Sequence, residues 1–133
     1  LTAEEFEIMK LHTVQGDLIL TQAKKNLGET GGFLEVARQV ARSHQEKWDG
    51  TGYPDGLAGE AIPVSARLMA LADVFDALIS PRPYKRAWSI QEALDFIQEQ
   101  SGKMLDPQCV RALMFVARFR SDIDRRLEAL EQY

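Results

Sequence analysis

The chain predicts an all-α fold, a helical bundle with two functional loops. Apolar residues recur at helical spacing in several separate stretches, and no stretch alternates with the period of a strand. Helix-start signatures also recur. Thr2-Ala3-Glu4-Glu5 and Ser89-Ile90-Gln91-Glu92 both read as capping boxes, and Asp106-Pro107 as an N-cap followed by proline at the first helical position.

The first helix opens at Thr2, whose hydroxyl can accept from the Glu5 amide while the Glu5 carboxylate reaches back. Phe6, Met9 and Lys10 fall near His12, and an apolar face runs through Val14, Leu18, Ile19 and Ala23, with a bend expected near Gly16. Gly28 to Gly32 form a break. Leu34 to Ser43 read as a second helix with Leu34, Ala37, Val40 and Ala41 inward and His44 at its end. Residues 48 to 63 are loop, punctuated by glycines and prolines, and Pro63 suits the first turn of the next helix. That helix is apolar around much of its circumference, so it is expected to be the central, most buried element. Ser80 to Trp88 form a second loop, stiffened by Pro81 and Pro83. The helix from Ser89 runs to about Gln100, and Gly102 ends it. The last helix starts at about residue 107. Its apolar positions Leu113, Val116, Phe119, Ile123, Leu127 and Leu130 continue past where a compact domain needs them.

A chain of 133 residues fits one domain. The net charge of -4 argues against charge-driven binding to a nucleic acid polymer or an anionic membrane. No apolar run is long enough to span a bilayer and no signal peptide opens the chain, so no membrane insertion is expected. The single cysteine, Cys109, excludes an internal disulfide, fits a cytoplasmic location, and reads as a core filler before a nucleophile.

His44-Gln45-Glu46-Lys47-Trp48-Asp49-Gly50-Thr51-Gly52-Tyr53-Pro54 is the most informative stretch. Asp49-Gly50 and Tyr53-Pro54 are turn signals, and Trp48 and Tyr53 are costly to leave bare, so the loop should be packed. The only histidines, His12 and His44, fall on or at the end of helices. Asp73 falls on the apolar third helix, where an unpaired carboxylate would need a cation or several donors. Two imidazoles and one carboxylate make a plausible metal set, and equally each can be a satisfied structural residue. Asp76 shares a helix face with Asp73, and a pairing with Arg67 or Arg82 is its plainer reading. Arg82, Lys85 and Arg86, with Tyr84 between them, suit phosphate contact or a solvated basic loop.

These residues resemble the HD-GYP branch of the HD metal-dependent phosphohydrolases. The shared blocks run in order through Met9-Lys10-Leu11-His12, His44 to Gly50, Gly52-Tyr53-Pro54, Ala72-Asp73-Val74-Phe75-Asp76-Ala77-Leu78, Arg82-Pro83-Tyr84-Lys85 and Asp106-Pro107. The resemblance implies an HD-domain-like helical domain that hydrolyses cyclic di-GMP, with iron or manganese as the divalent metal. It implies that His12, His44 and Asp73 are metal ligands. Arg82 and Lys85 would contact substrate phosphate. Gly52, Tyr53 and Pro54 would line the substrate site and serve docking to a diguanylate cyclase domain.

Two departures accompany the resemblance. The family's His-Asp pair precedes the position where this chain begins, and Gln45 stands where a second ligand histidine is usual. Residues 1–133 are therefore expected to be a partial HD-GYP domain, truncated at the N-terminus, with the metal site incomplete or empty and no catalytic residue assigned within it. The parent would be an output domain of a response regulator or related signalling protein. The alternatives are a catalytically degenerate module for nucleotide sensing or protein docking, and a dimerising scaffold. A homo-oligomer is expected because uncovered apolar faces seek partners.

Overall fold

Three local signals set three helix starts. Thr2 N–H donates to Glu5 Oε2 at 2.9 Å and Glu5 N–H to Thr2 Oγ1 at 3.1 Å, opening α1 (Ala3–Leu27). The same reciprocal box between Ser89 and Glu92 opens α4 (Ile90–Glu99). Asp106 accepts from the Gln108 amide at 2.8 Å and so caps α5 (Pro107–Glu131). Between them lie α2 (Phe33–Ser43) and α3 (Val64–Ile79). This computed structural model describes residues 2–27 and 32–131, so the expected break at residues 28–31 lies outside the described residues. Pro63 falls one place earlier than expected, at the cap of α3 rather than within its first turn. Among the described residues the pairings of strand type are two isolated bridges, Arg82 with Lys85 and Ser101 with Leu105, and the fold is all-α.

Packing follows chain order. α1 lies along α2, α2 touches α3, and α3 meets both α4 and α5. α1 continues unbroken through Gly16, where a bend was expected. A Cβ at Gly16 would stand 3.1 Å from the Ala41 Cβ, so the glycine serves close approach of two helices. The hydrophobic core lies among α3, α4 and α5, built on Leu71, Ile97, Leu105, Cys109 and Val110. Cys109 fills it as expected, and burial, with the Asp106 carboxylate beside it, pushes its thiol up to about 11. Such a thiol is no nucleophile at neutral pH.

The expectation that α3 is the most buried element is corrected. Ala66, Leu71 and Leu78 are buried, but Leu68, Met69, Ala72 and Asp73 are exposed. An apolar circumference reports what a helix could bury, whereas burial depends on which neighbours are there. Asp73 therefore escapes the desolvation cost foreseen for it. The pairing foreseen for Asp76 is also corrected. Arg67 binds Asp106 at 2.7 Å, while Asp76 accepts from the Ser80 hydroxyl at 3.3 Å. Among the described residues no helix is long and apolar enough to cross a membrane.

Candidate functional site

α2 ends by turning its last residues toward α1. His44, at the cap, faces the Val40 and Ala41 carbonyls with Nδ1 at 2.8 and 3.2 Å. His12 does the same on α1, with Nδ1 against the Met9 carbonyl. A carbonyl oxygen only accepts, so each Nδ1 carries a proton, and in the neutral imidazole Nε2 then keeps its lone pair. Those two Nε2 atoms face each other at 3.4 Å. Two lone pairs so placed repel unless they share a proton or a metal cation. Two nitrogens that each bind one ion at about 2.1 Å in a tetrahedral arrangement lie at about this separation. The imidazole pair fits a divalent metal as a two-donor set. Among the described residues no group of three or more His, Cys, Asp or Glu side chains gathers to complete it.

The loop carrying Gly52-Tyr53-Pro54 packs against this pair. Tyr53 sits edge-on to His12 and to Phe6, with ring centroids 6.4 and 5.7 Å apart. Its amide donates to the Gln45 carbonyl at 3.2 Å, which folds the loop back on the end of α2. Gly52 makes that fold possible. A Cβ there would lie 2.4 Å from the Gln45 carbonyl oxygen and 2.5 Å from the Lys47 nitrogen, so any side chain would force the loop to shift. Pro54 follows through a cis peptide bond. Trp48, half-buried, donates its amide to Met104 at 3.1 Å and lies under the Arg67 guanidinium.

Buried polar groups that the sequence reading did not single out hold the loop in place. Glu46 is buried, and its two carboxylate oxygens accept from the Asp55 and Leu57 amides at 2.8 and 2.9 Å. Arg42 grips Asp55 through two bonds of 2.8 and 2.9 Å, and its remaining nitrogen reaches Asp17 on α1 at 2.9 Å. Arg38 binds the other Asp17 oxygen at 3.1 Å. Burial raises the Asp17 carboxyl, but the hydrogen bonds from Arg42 and Arg38 outweigh it and hold the group below its ordinary value. Arg42 depresses Asp55 likewise, against a smaller effect of burial. One sequence signal could have found Glu46: a single carboxylate directly before a glycine-rich loop whose amides need acceptors.

The remaining expected residues lie apart from the imidazole pair. Asp73 joins His44, Gln45 and Lys47 around a small cleft of about 120 Å³ between the end of α2 and α3, and His12 is not among its walls. Arg82 and Lys85 bond each other through reciprocal backbone hydrogen bonds of 3.1 Å on the exposed loop after α3. Lys85 reaches over the Trp88 ring, and neither residue lines the cleft of His44 and Asp73.

The sequence model of the HD domain family matches residues 1–109. A Vibrio cholerae protein named cyclic di-GMP phosphodiesterase is 54% identical over 116 residues, covering 87% of this chain and 23% of its own length. The cyclic di-GMP phosphodiesterase response regulator RpfG of Xanthomonas campestris is 47% identical over 114 residues, covering 86% of this chain and 29% of its own. Among solved structures, the cyclic GMP-AMP specific phosphodiesterase V-cGAP3 of V. cholerae aligns with a TM-score of 0.55 at 35% identity, over 71% of this chain and 23% of that one. The chain thus spans less than a third of the length of these relatives. Family membership carries divalent-metal binding as a general property. By its match over most of its length and by its relatives, the chain belongs to the HD domain family, in the HD-GYP branch.

Proposed function

We propose that this chain is part of a metal-dependent phosphodiesterase acting on cyclic di-GMP, within the output domain of a bacterial signalling protein of the response-regulator type. The observation that carries the reading is the facing Nε2 pair of His12 and His44 at 3.4 Å, with Tyr53 against it. A bound divalent ion supplies Lewis-acid activation of water and of phosphate oxygens. His12 and His44 offer it two neutral donors whose orientation the backbone carbonyls fix from behind. Asp73 lines the small cleft with His44 and would join the pair as a third donor only by moving toward it. Tyr53, Gly52 and Pro54 form the wall against which a guanine or ribose would rest. Arg82 and Lys85 bring positive charge to the phosphates, the first as a fork and the second as a point charge. Iron or manganese suits this imidazole and carboxylate set. Cyclase docking through the Gly52-Tyr53-Pro54 loop belongs to the same reading.

Gln45 offers no anionic or imidazole donor beside His44, so the 133-residue chain by itself is expected to bind without hydrolysing. Calorimetric titration with manganese tests the site. Binding to the chain that disappears in both His12→Ala and His44→Ala supports it, and affinity unchanged in either variant refutes it. Titration with cyclic di-GMP against Arg82→Ala then separates substrate contact from a solvated loop. Turnover of cyclic di-GMP by the chain alone, with added manganese, would contradict the proposed inactivity.

A further inference from the structure

α5 outruns its domain. Met114, Ala117, Arg118, Ser121 and Arg125 turn toward α4. Val116, Ile123, Leu127 and Leu130 lie on the far side of the helix and are 59%, 38%, 53% and 69% exposed. With Arg120 they follow the alternating three- and four-residue spacing of a heptad seam, Arg120 and Leu127 in the first core position and Val116, Ile123 and Leu130 in the second, while Leu113, one heptad earlier, packs against the domain's own core.

The flanking charges choose the occupant. Asp124 and Glu131 fall on one flank of the seam, and Phe119 and Arg126 on the other. In a parallel pair of identical helices, Arg126 of one faces Glu131 of the other, five positions on, twice by symmetry. In an antiparallel pair like flanks meet, setting carboxylates against carboxylates. Arg120, held by Asp124 one turn on at 3.4 Å, is a polar residue at a core position, a device that fixes register at some cost in stability.

We propose that the second half of α5 pairs with the same helix of a second copy of this chain as a parallel two-stranded coiled coil. The pairing is independent of the phosphodiesterase reading and places the two copies' domains at the same end of the coil.

Sedimentation equilibrium of the 133-residue chain, at concentrations on the order of 100 μM, tests it. A dimer is expected, with Leu127→Glu giving a monomer. Arg126→Glu alone and Glu131→Arg alone are each expected to weaken association roughly tenfold, and the double swap to restore it. Circular dichroism of the swaps, which change only exposed side chains, confirms that the domain stays folded. A Leu130→Cys chain should oxidise to a covalent dimer, since Cys109 is buried and does not compete. A monomeric wild-type chain overturns the proposal. So does a dimer indifferent to the single swaps, or one that the double swap fails to restore.

Discussion

Arg67 and Asp106 stand 39 residues apart in the chain and are joined at 2.7 Å, fastening the first turn of α3 to the cap of α5. Asp106 is almost wholly enclosed and serves three donors at once: the Arg67 guanidinium, the Gln108 amide and the Cys109 thiol. Arg67 in turn bonds the Ile62 carbonyl at 2.9 Å. One carboxylate therefore sets the entry of α5, the approach of α3 and the environment of the core cysteine.

Asp106→Ala should accordingly be severe. It removes a helix cap and leaves a partly buried guanidinium without its anion, for a loss of about 3 kcal/mol in urea denaturation. Asp106→Asn keeps an acceptor for the Gln108 amide and should lose less. Equal losses for the two variants would contradict the double role.

Acid should unfold the protein through a small set of carboxylates. Asp17, Asp55 and Asp106 all have folded pKa values below the ordinary 3.8. The folded state holds these protons more weakly than the unfolded one. Their contribution is therefore complete above the unfolded value and is lost as pH falls through the lower folded values. The melting temperature should be flat between neutrality and about pH 5 and fall below about pH 4. Asp17→Asn should shallow that fall, and an acid limb as steep as wild type would show that Asp17 does not take part.

Gly52→Ala places a methyl group against backbone atoms that cannot swing aside. The loop must shift, at a cost of about 1–3 kcal/mol, and Tyr53 must leave its contact with His12. Thermal unfolding and the Tyr53 ring resonances in NMR spectra would register both. An unaltered melting curve would mean the loop is looser than its contacts indicate.

Glu46→Gln keeps one carbonyl oxygen where the carboxylate serves two amides, so one partly buried N–H loses its acceptor. The expected loss is about 1–3 kcal/mol, with faster hydrogen exchange at the Asp55 or Leu57 amide. Exchange rates equal to wild type at both positions would contradict that assignment.

Elements encoded by neighbours a few residues apart could be read from the chain. The boxes at Thr2 and Ser89 and the cap at Asp106 are such cases, because each bond closes within one helical turn. Spacing could name His12 and His44 and only the family resemblance could bring them together with Asp73, since what joins the two imidazoles is the close passage of α1 over α2 at Gly16 and Ala41, and Asp73 is not gathered with them. The triangle of Asp17, Arg42 and Asp55 leaves no periodic trace, because its members come from two helices and a loop. Arg67 shows the same limit: Asp76 is near it in sequence, and Asp106 is near it in space.

Arg42, Glu46 and Gly52 together make residues 44–57 a fixed bracket rather than a flap. Whatever lodges against Tyr53 meets a surface whose ordering was completed during folding. Recognition along that side should lose little chain entropy, and its selectivity should come from shape rather than from closure.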